Sequence, residues 1–189
     1  KNINVSGIDR MILTEQLAVM DLISMANFML LPEDDLNLAI VLKTPVIGLS
    51  EDDLFELAWD RGKKTLWQIL KEKKDKNDSF KIAYEYLYEL LNITDFLKPF
   101  EVFSHILETR EGRKKFISRL GDHVEEPINE FLNLSLEFER SHIPTMQNFL
   151  HWLKSGEIEI KRDFDIARNE VKIMTVHASK GLQAPIIFF

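Results

Sequence analysis

The chain contains no cysteine. That excludes a disulfide framework and any metal site built on thiolates, and it fits the reducing interior of a cell, so a cytoplasmic setting is expected. A strong basic excess is missing too. Twenty-four Lys and Arg stand against 31 Asp and Glu, giving a net charge of −7 and a pI near 5.3. Proteins held to nucleic acid by diffuse phosphate attraction are usually basic, so any nucleic-acid contact here must be local. No apolar run approaches the roughly 18 residues that read as a membrane span. The opening "KNINVSGIDR" lacks the apolar core of a signal peptide, and no membrane partner is expected. There is no G-x-x-x-x-G-K-[ST] phosphate loop. No carboxylate pair, nucleophile triad, metal-ligand cluster, internal repeat or low-complexity linker stands out.

What is present is an ordinary globular composition, 45% apolar and 29% charged over 189 residues, enough for one sizeable domain or two small ones. "NINVSG" alternates and reads as a short strand. "LTEQLAVMDLISMANFMLL" is apolar on nearly every side, through Leu17, Met20, Ile23 and Met25, and predicts a largely buried helix over Thr14 to Phe28. Pro32 ends it or starts the next. "PEDDLNLAIVLKT" has acids in its first turn and Lys43 in its last, as the helix dipole favours. Its Leu36, Ala39, Ile40 and Leu42 suit one buried stripe. Ser50 then reads as an N-cap, with Asp53 at the capping-box position.

From Thr65 to Ser155 the pattern predicts six helical segments, beginning at "TLWQILKEKK" and ending at "TMQNFLHWLKSG". Asn77-Asp78, Asn92–Thr94, Glu111-Gly112, Gly121-Asp122 and Ile143-Pro144 separate them. Ile128, Phe131, Leu132, Ser135 and Phe138 mark one face of the fifth. Thr145 is placed to cap the last, and Gly156 to end it. After Gly156, "EIEIKRDFDIARNE" is charged and weakly alternating, a connection to another domain. "VKIMTV" and "PIIFF" are strand-like, the latter suited to burial on both faces. Strands, a long helical block, then strands is the pattern of a helical insertion in an α/β domain.

The chemistry concentrates in "IMTVHASKGLQAP". A buried strand delivers Thr175 and His177 to its C-terminal end, where open α/β sheets bind ligands. Ser179, Lys180 and Gly181 then open a turn with free N–H groups, one ammonium and a close-approach glycine, which suits a phosphate. An ordinary strand–turn–strand link with Gly181 in the turn satisfies the same residues.

The longer stretch "VKIMTVHASKGLQAPIIFF" resembles a motif of superfamily one DNA helicases of the UvrD, PcrA and RecB type. That motif reads V-x-[LIV]-[ML]-T-[VI]-H-x-[AS]-K-G-L-E-[FA]-P-V-V-F. "LPEDDL", "VLKTPVIGLSEDDLF", "FLHWL" and "EIKRD" are similar, more closely still, to the AddA-type helicase–nuclease subunits of bacterial double-strand-break repair. The resemblance implies a mainly α chain: a multi-helix inserted subdomain flanked by short strands from an α/β RecA-like motor domain. Residues 1–30 would be the outgoing edge of the second motor domain, 31–165 the inserted subdomain and 166–189 the re-entry strands. Both ends of the chain are expected to be cuts in a longer protein, whose phosphate loop, magnesium carboxylates, arginine motif and nuclease domain lie elsewhere. ATP and Mg2+ are implied for the full-length protein and no cofactor for this part alone, which is expected not to hydrolyse ATP. The implied partners are single-stranded and duplex DNA, together with an AddB-type subunit.

Residue roles follow from the same resemblance. Thr175 and His177 match positions that touch the single strand. Lys180 and Gly181 match the nucleotide-facing turn. Gln183 replaces the family's glutamate at a ribose hydroxyl; its amide still accepts that bond but brings no charge. Thr44, Gly48 and Ser50, in "TPVIGLS", resemble a partial duplex-binding turn of the form T-P-x-x-G-I-G. Ser50 stands where that turn has its second glycine, and Glu51, Asp52 and Asp53 place three acids where a phosphate would sit. A plain capped inter-helix turn is the expectation favoured there. The basic stretches "RGKK" with "KEKKDK", and "REGRKK" with Arg119, read as solvated helix faces or local duplex-binding surfaces. Trp59, Trp67 and Trp152 are expected in the core or at an interface. The competing function is a helical scaffold that has no direct role on DNA and contacts a partner subunit.

Overall fold

The structure is a computed structural model that describes residues 5–7, 11–155, 159–160, 171–173 and 186. It divides into two compact units, Leu13–Ile158, and Lys1–Ile12 together with Glu159–Phe189. In the smaller unit, strand β1 (Val5–Gly7) falls inside the expected "NINVSG" strand, and β2 (Met11–Ile12) follows it. The returning chain supplies β3 (Glu159–Ile160) and β4 (Val171–Ile173). β1 and β4 run parallel with Ser6 opposite Lys172, and β2 and β3 run antiparallel with Ile12 opposite Glu159. Of "PIIFF" only Ile186 is described, and it is exposed rather than enclosed on both faces.

The larger unit is helical. A short 3-10 turn at Leu13–Glu15 precedes α1 (Leu17–Leu30), so the helix starts three residues later than Thr14 and runs past Phe28. Ala18, Val19, Leu22, Met25, Ala26, Phe28 and Met29 are buried, because α1 packs against four other helices of the unit. Leu17 and Met20, expected to be buried, are about half exposed. This packing also sets the division between the units. It falls at Ile12/Leu13 and Ile158/Glu159, and α1 buries its apolar residues among helices of the later sequence.

α2 (Asp35–Lys43) starts beyond Pro32, where Asp34 accepts hydrogen bonds from the Leu36 and Asn37 amides. Its buried stripe is Leu38, Val41 and Leu42. Leu36 and Ile40 point outward instead, 73% and 40% exposed. The helix lies against α1 on the 38/41/42 side, which leaves the 36/40 edge to solvent. α3 (Glu51–Ala58) has the expected Ser50–Asp53 capping box, and hydrogen bonds from Ser50 hold the Asp53 carboxyl below its usual range.

The six later segments all form: α4 (Leu66–Lys73), α5 (Asp78–Thr94), α6 (Pro99–Ser104), α7 (Gly112–Leu120), α8 (Glu125–Ser141) and α9 (Met146–Ser155). Thr145 Oγ1 accepts from the Asn148 amide at the start of α9, as its capping role predicts. A π-helical turn, His105–Thr109, continues α6, and no pattern in the sequence announces it. The core of the later helices is aromatic. Phe103, Phe131, Phe138 and Phe149 are buried and meet edge-to-face or tilted, with centroids 4.7 to 5.8 Å apart. Trp67 and Trp152 are half-buried at the margins of the core. Trp59, by contrast, is 69% exposed and stacks on the exposed Phe55.

Asp21 is the conspicuous charge in α1. It is 9% exposed, and burial pushes its carboxyl up to about 6 from an ordinary 3.8, with the Arg119 guanidinium pulling it back only in part. A pKa raised on folding means that folding favours the protonated form. The contribution to stability is therefore complete below the unfolded value and is lost as pH rises through the folded one. At pH 8 the ionised carboxylate costs on the order of 2 kcal/mol. The Asp21→Asn chain is expected to be more stable than the parent by about that amount at pH 8 and by much less near pH 4. Urea unfolding of both chains across that range checks it; parallel stability curves would show that Asp21 is not the titrating group.

Candidate functional site

Two stretches that are distant in sequence meet in the larger unit. The 44–50 turn links α2 to α3, and α7 lies beside it. Lys115 Nζ donates to the Val46 carbonyl at 2.7 Å, and Arg119 donates to the Lys43 carbonyl at 3.0 Å. Lys43 also pairs with Glu51 across the turn, at 2.9 Å. The second basic stretch therefore clamps the turn through its carbonyls.

Thr44, Gly48 and Ser50 each spend a hydrogen-bond donor within the turn and its flanking helices. Thr44 is buried, and its hydroxyl donates to Val41 O. The Gly48 amide donates to Thr44 O and the Leu49 amide to Leu42 O. The Ser50 amide and hydroxyl both go to the Asp53 carboxylate. Gly48, at φ +80, has open space around its Cα; it is there for the left-handed turn. The turn leads into a helix capped by Ser50.

Several other basic residues are paired as well. Arg61 pairs with Asp35, Lys64 with Glu72 and Lys76 with Glu56. Arg113 pairs with Glu108 and Lys114 with Glu111. Exposed pairs of this kind contribute little to stability, and they offset three of the seven positive charges of "RGKK" and "KEKKDK".

Where the turn, α5 and the start of α7 converge there is a cavity of about 270 Å³, lined by Val46, Ile47, Ile82, Tyr86, Thr109, Arg110, Glu111 and Lys115. Arg110 and Lys115 lie over the Tyr86 ring, 4.9 and 5.9 Å from its centroid. Tyr86 is 3% exposed, and its enclosed hydroxyl has no hydrogen-bond partner among the described residues. Burial pushes the phenol pKa upward, which keeps it a protonated donor. Burial, and then the adjacent Arg110 charge, hold the Lys115 pKa below the usual lysine range. The sequence marks Arg110 and Lys115 as part of a basic stretch. Nothing in "KIAYEYLYEL" distinguishes Tyr86 from its neighbours Tyr84 and Tyr88, because only the fold selects which tyrosine meets the cations.

Thr175, His177, Lys180, Gly181 and Gln183 lie outside the described residues. Among the described residues no group of three acidic, histidine or cysteine side chains could hold a metal ion, and no helix is long and apolar enough to cross a membrane.

No family model matches the chain. Among curated proteins, it is 28% identical over 172 residues to an ATP-dependent helicase/nuclease subunit of Clostridium acetobutylicum, covering 83% of this chain and 13% of that protein. The same-named subunit of Thermoanaerobacter pseudethanolicus is 23% identical over 172 residues, covering 82% of this chain and 14% of its own length. For that of Clostridium kluyveri the figures are 23% over 198 residues, 92% and 16%. The chain thus spans about one seventh of the length of these relatives. Over 82% or more of its own length it is similar to a segment of the ATP-dependent helicase/nuclease subunits of AddA type, the proteins that its motifs resemble.

Proposed function

We propose that this chain is part of an ATP-dependent DNA helicase/exonuclease that acts in double-strand-break repair and recombination, and that it supplies an accessory helical subdomain and one motor motif. The observation that carries this reading is the similarity to AddA-type helicase/nuclease subunits over most of the chain. The topology supports it. The helical unit departs after Ile12 and returns at Glu159, its strand partner, as a subdomain inserted in a RecA-like sheet would. In this reading Lys180 and Gly181 face the phosphates of ATP, with Mg2+ held by carboxylates elsewhere, and Gln183 faces the ribose. Thr175 and His177 touch single-stranded DNA through a hydroxyl and an imidazole. An AddB-type subunit is the partner, and the cytoplasm the setting.

The test uses the full-length protein that contains this segment. Lys180→Ala is expected to lower DNA-stimulated ATP hydrolysis at least about tenfold, because an ammonium aimed at transferring phosphate stabilises developing charge. His177→Ala is expected to weaken stimulation by single-stranded DNA more than basal turnover. Absence of DNA-stimulated hydrolysis in the unsubstituted protein would overturn the proposal. The scaffold reading draws on the exposed Phe55–Trp59 pair and on Phe96, 85% exposed; it predicts that absence.

A further inference from the structure

We infer that the cavity between the 44–50 turn, α5 and the start of α7 binds a phosphate monoester, carried on a free small molecule or at the 5′ end of a nucleic-acid strand. The inference does not depend on the motor reading.

Two cations line this cavity together with one acid, Glu111, and among the described residues neither cation has an ion pair shorter than 3.6 Å. Arg110 has only a long ion pair, 3.6 Å, to Glu89, and Glu89 is engaged with His105 at 2.7 Å. Lys115 gives one bond to the Val46 carbonyl and keeps further donors. The third charged group of the lining, Glu111, makes its direct ion pair with Lys114 outside and offsets the Lys115 charge only in part. Two like charges thus share a partly desolvated site, an arrangement that a dianion relieves.

Tyr86 supplies a neutral donor in the same wall. A buried hydroxyl without a partner costs free energy. Arg110, held by its long pair to Glu89 and its place over the Tyr86 ring, is the side chain that can turn toward an anion and open the hydroxyl to it. Thr109 and the apolar Val46, Ile47 and Ile82 complete the lining. At about 270 Å³ the space lies just under the roughly 300–1,000 Å³ of small-molecule pockets. It holds a phosphate and a small attached body, not a nucleoside triphosphate. A terminal monoester enters such a hollow end-on, whereas an internal phosphodiester drags chain on both sides.

The 189-residue chain is titrated in a calorimeter with inorganic phosphate, with a short 5′-phosphorylated single strand and with its 5′-hydroxyl twin. Tyr86→Phe and Lys115→Gln are carried alongside. Saturable phosphate binding is expected, weakened about tenfold by Lys115→Gln and severalfold by Tyr86→Phe. Tyr86→Phe removes only an unpaired hydroxyl, so its thermal midpoint is expected to equal or exceed that of the parent. A phosphorylated strand that binds about tenfold tighter than its twin assigns the phosphate to a strand end. Equal binding of the two strands, with inorganic phosphate still saturable, assigns it to a free molecule. No saturable phosphate binding, or binding that neither substitution changes, overturns the inference.

Discussion

Phe149→Ala is expected to destabilise the helical unit by about 3–5 kcal/mol. Phe149 is fully buried on α9. Its ring lies 5.3 Å from Phe138, 5.7 Å from Phe131 and 5.8 Å from Phe103, with Trp152 at 6.1 Å. Those partners come from α6, α8 and α9, so one ring joins three helices. Truncation removes the transfer free energy of the ring and leaves a hole that other large rings, fixed by their own neighbours, cannot collapse to fill. Typical domain stabilities are about 5–15 kcal/mol, and the loss is a large share of that. Urea unfolding measures it. Hydrogen exchange shows whether α9, which also packs against α1, detaches first. A loss below about 1 kcal/mol would mean that the aromatic cluster does not hold the later helices together.

Gly112→Ala is expected to cost about 2–3 kcal/mol, against the sign of the usual rule. Glycine to alanine at a helical position ordinarily stabilises by up to about 1 kcal/mol. Here an added Cβ would lie 2.5 Å from the Ile106 carbonyl oxygen, 3.2 Å from the Ile106 carbonyl carbon and 3.4 Å from the Leu107 Cα. All three are backbone atoms of the π-helical turn, so no side-chain rotation relieves the clash. The turn doubles back through Glu111, held in the left-handed region at φ 55, and lays the start of α7 directly on the peptide of residue 106. Thermal melts of Gly112→Ala decide the matter, with Gly62→Ala as the contrasting case: Gly62 has nothing within reach of a Cβ, and its substitution is strained only by the positive φ. A rise in midpoint for Gly112→Ala would show that α7 does not sit against the π turn.

The features legible in the sequence are those set by local chemistry. The six later helices, the Ser50 capping box and the Thr145 cap each depend on residues three or four positions apart, and each is present. Expectation and structure part where a distant partner decides. Leu36 and Ile40 are as apolar as Leu38 and Val41, and only the direction from which α1 approaches tells which pair is covered. Trp59 carries a core-type side chain, yet it stands outward at the end of α3. The π turn leaves no mark in "HILET", and the residue packed closest against its backbone, Gly112, lies beyond that stretch. The candidate cavity follows the same pattern. Its cations can be named from a basic run, whereas Tyr86 and the meeting with the 44–50 turn require the tertiary structure.

The pairing of Ile12 with Glu159 has a consequence for how this chain can change. Everything between them, Leu13–Ile158, leaves and returns through neighbouring backbone positions, so the ends of that long excursion are held at a fixed, short separation. The entropy of closing a loop grows only as the logarithm of its length. Helices can therefore be added, shortened or exchanged within the excursion without altering the register of the strands on either side. A two-residue Asn-Gly turn fits the same gap, because residues 12 and 159 already stand as the ends of an antiparallel hairpin do. The helical unit is in this sense a cassette, free to acquire a new surface or binding pocket while its attachment points stay where they are.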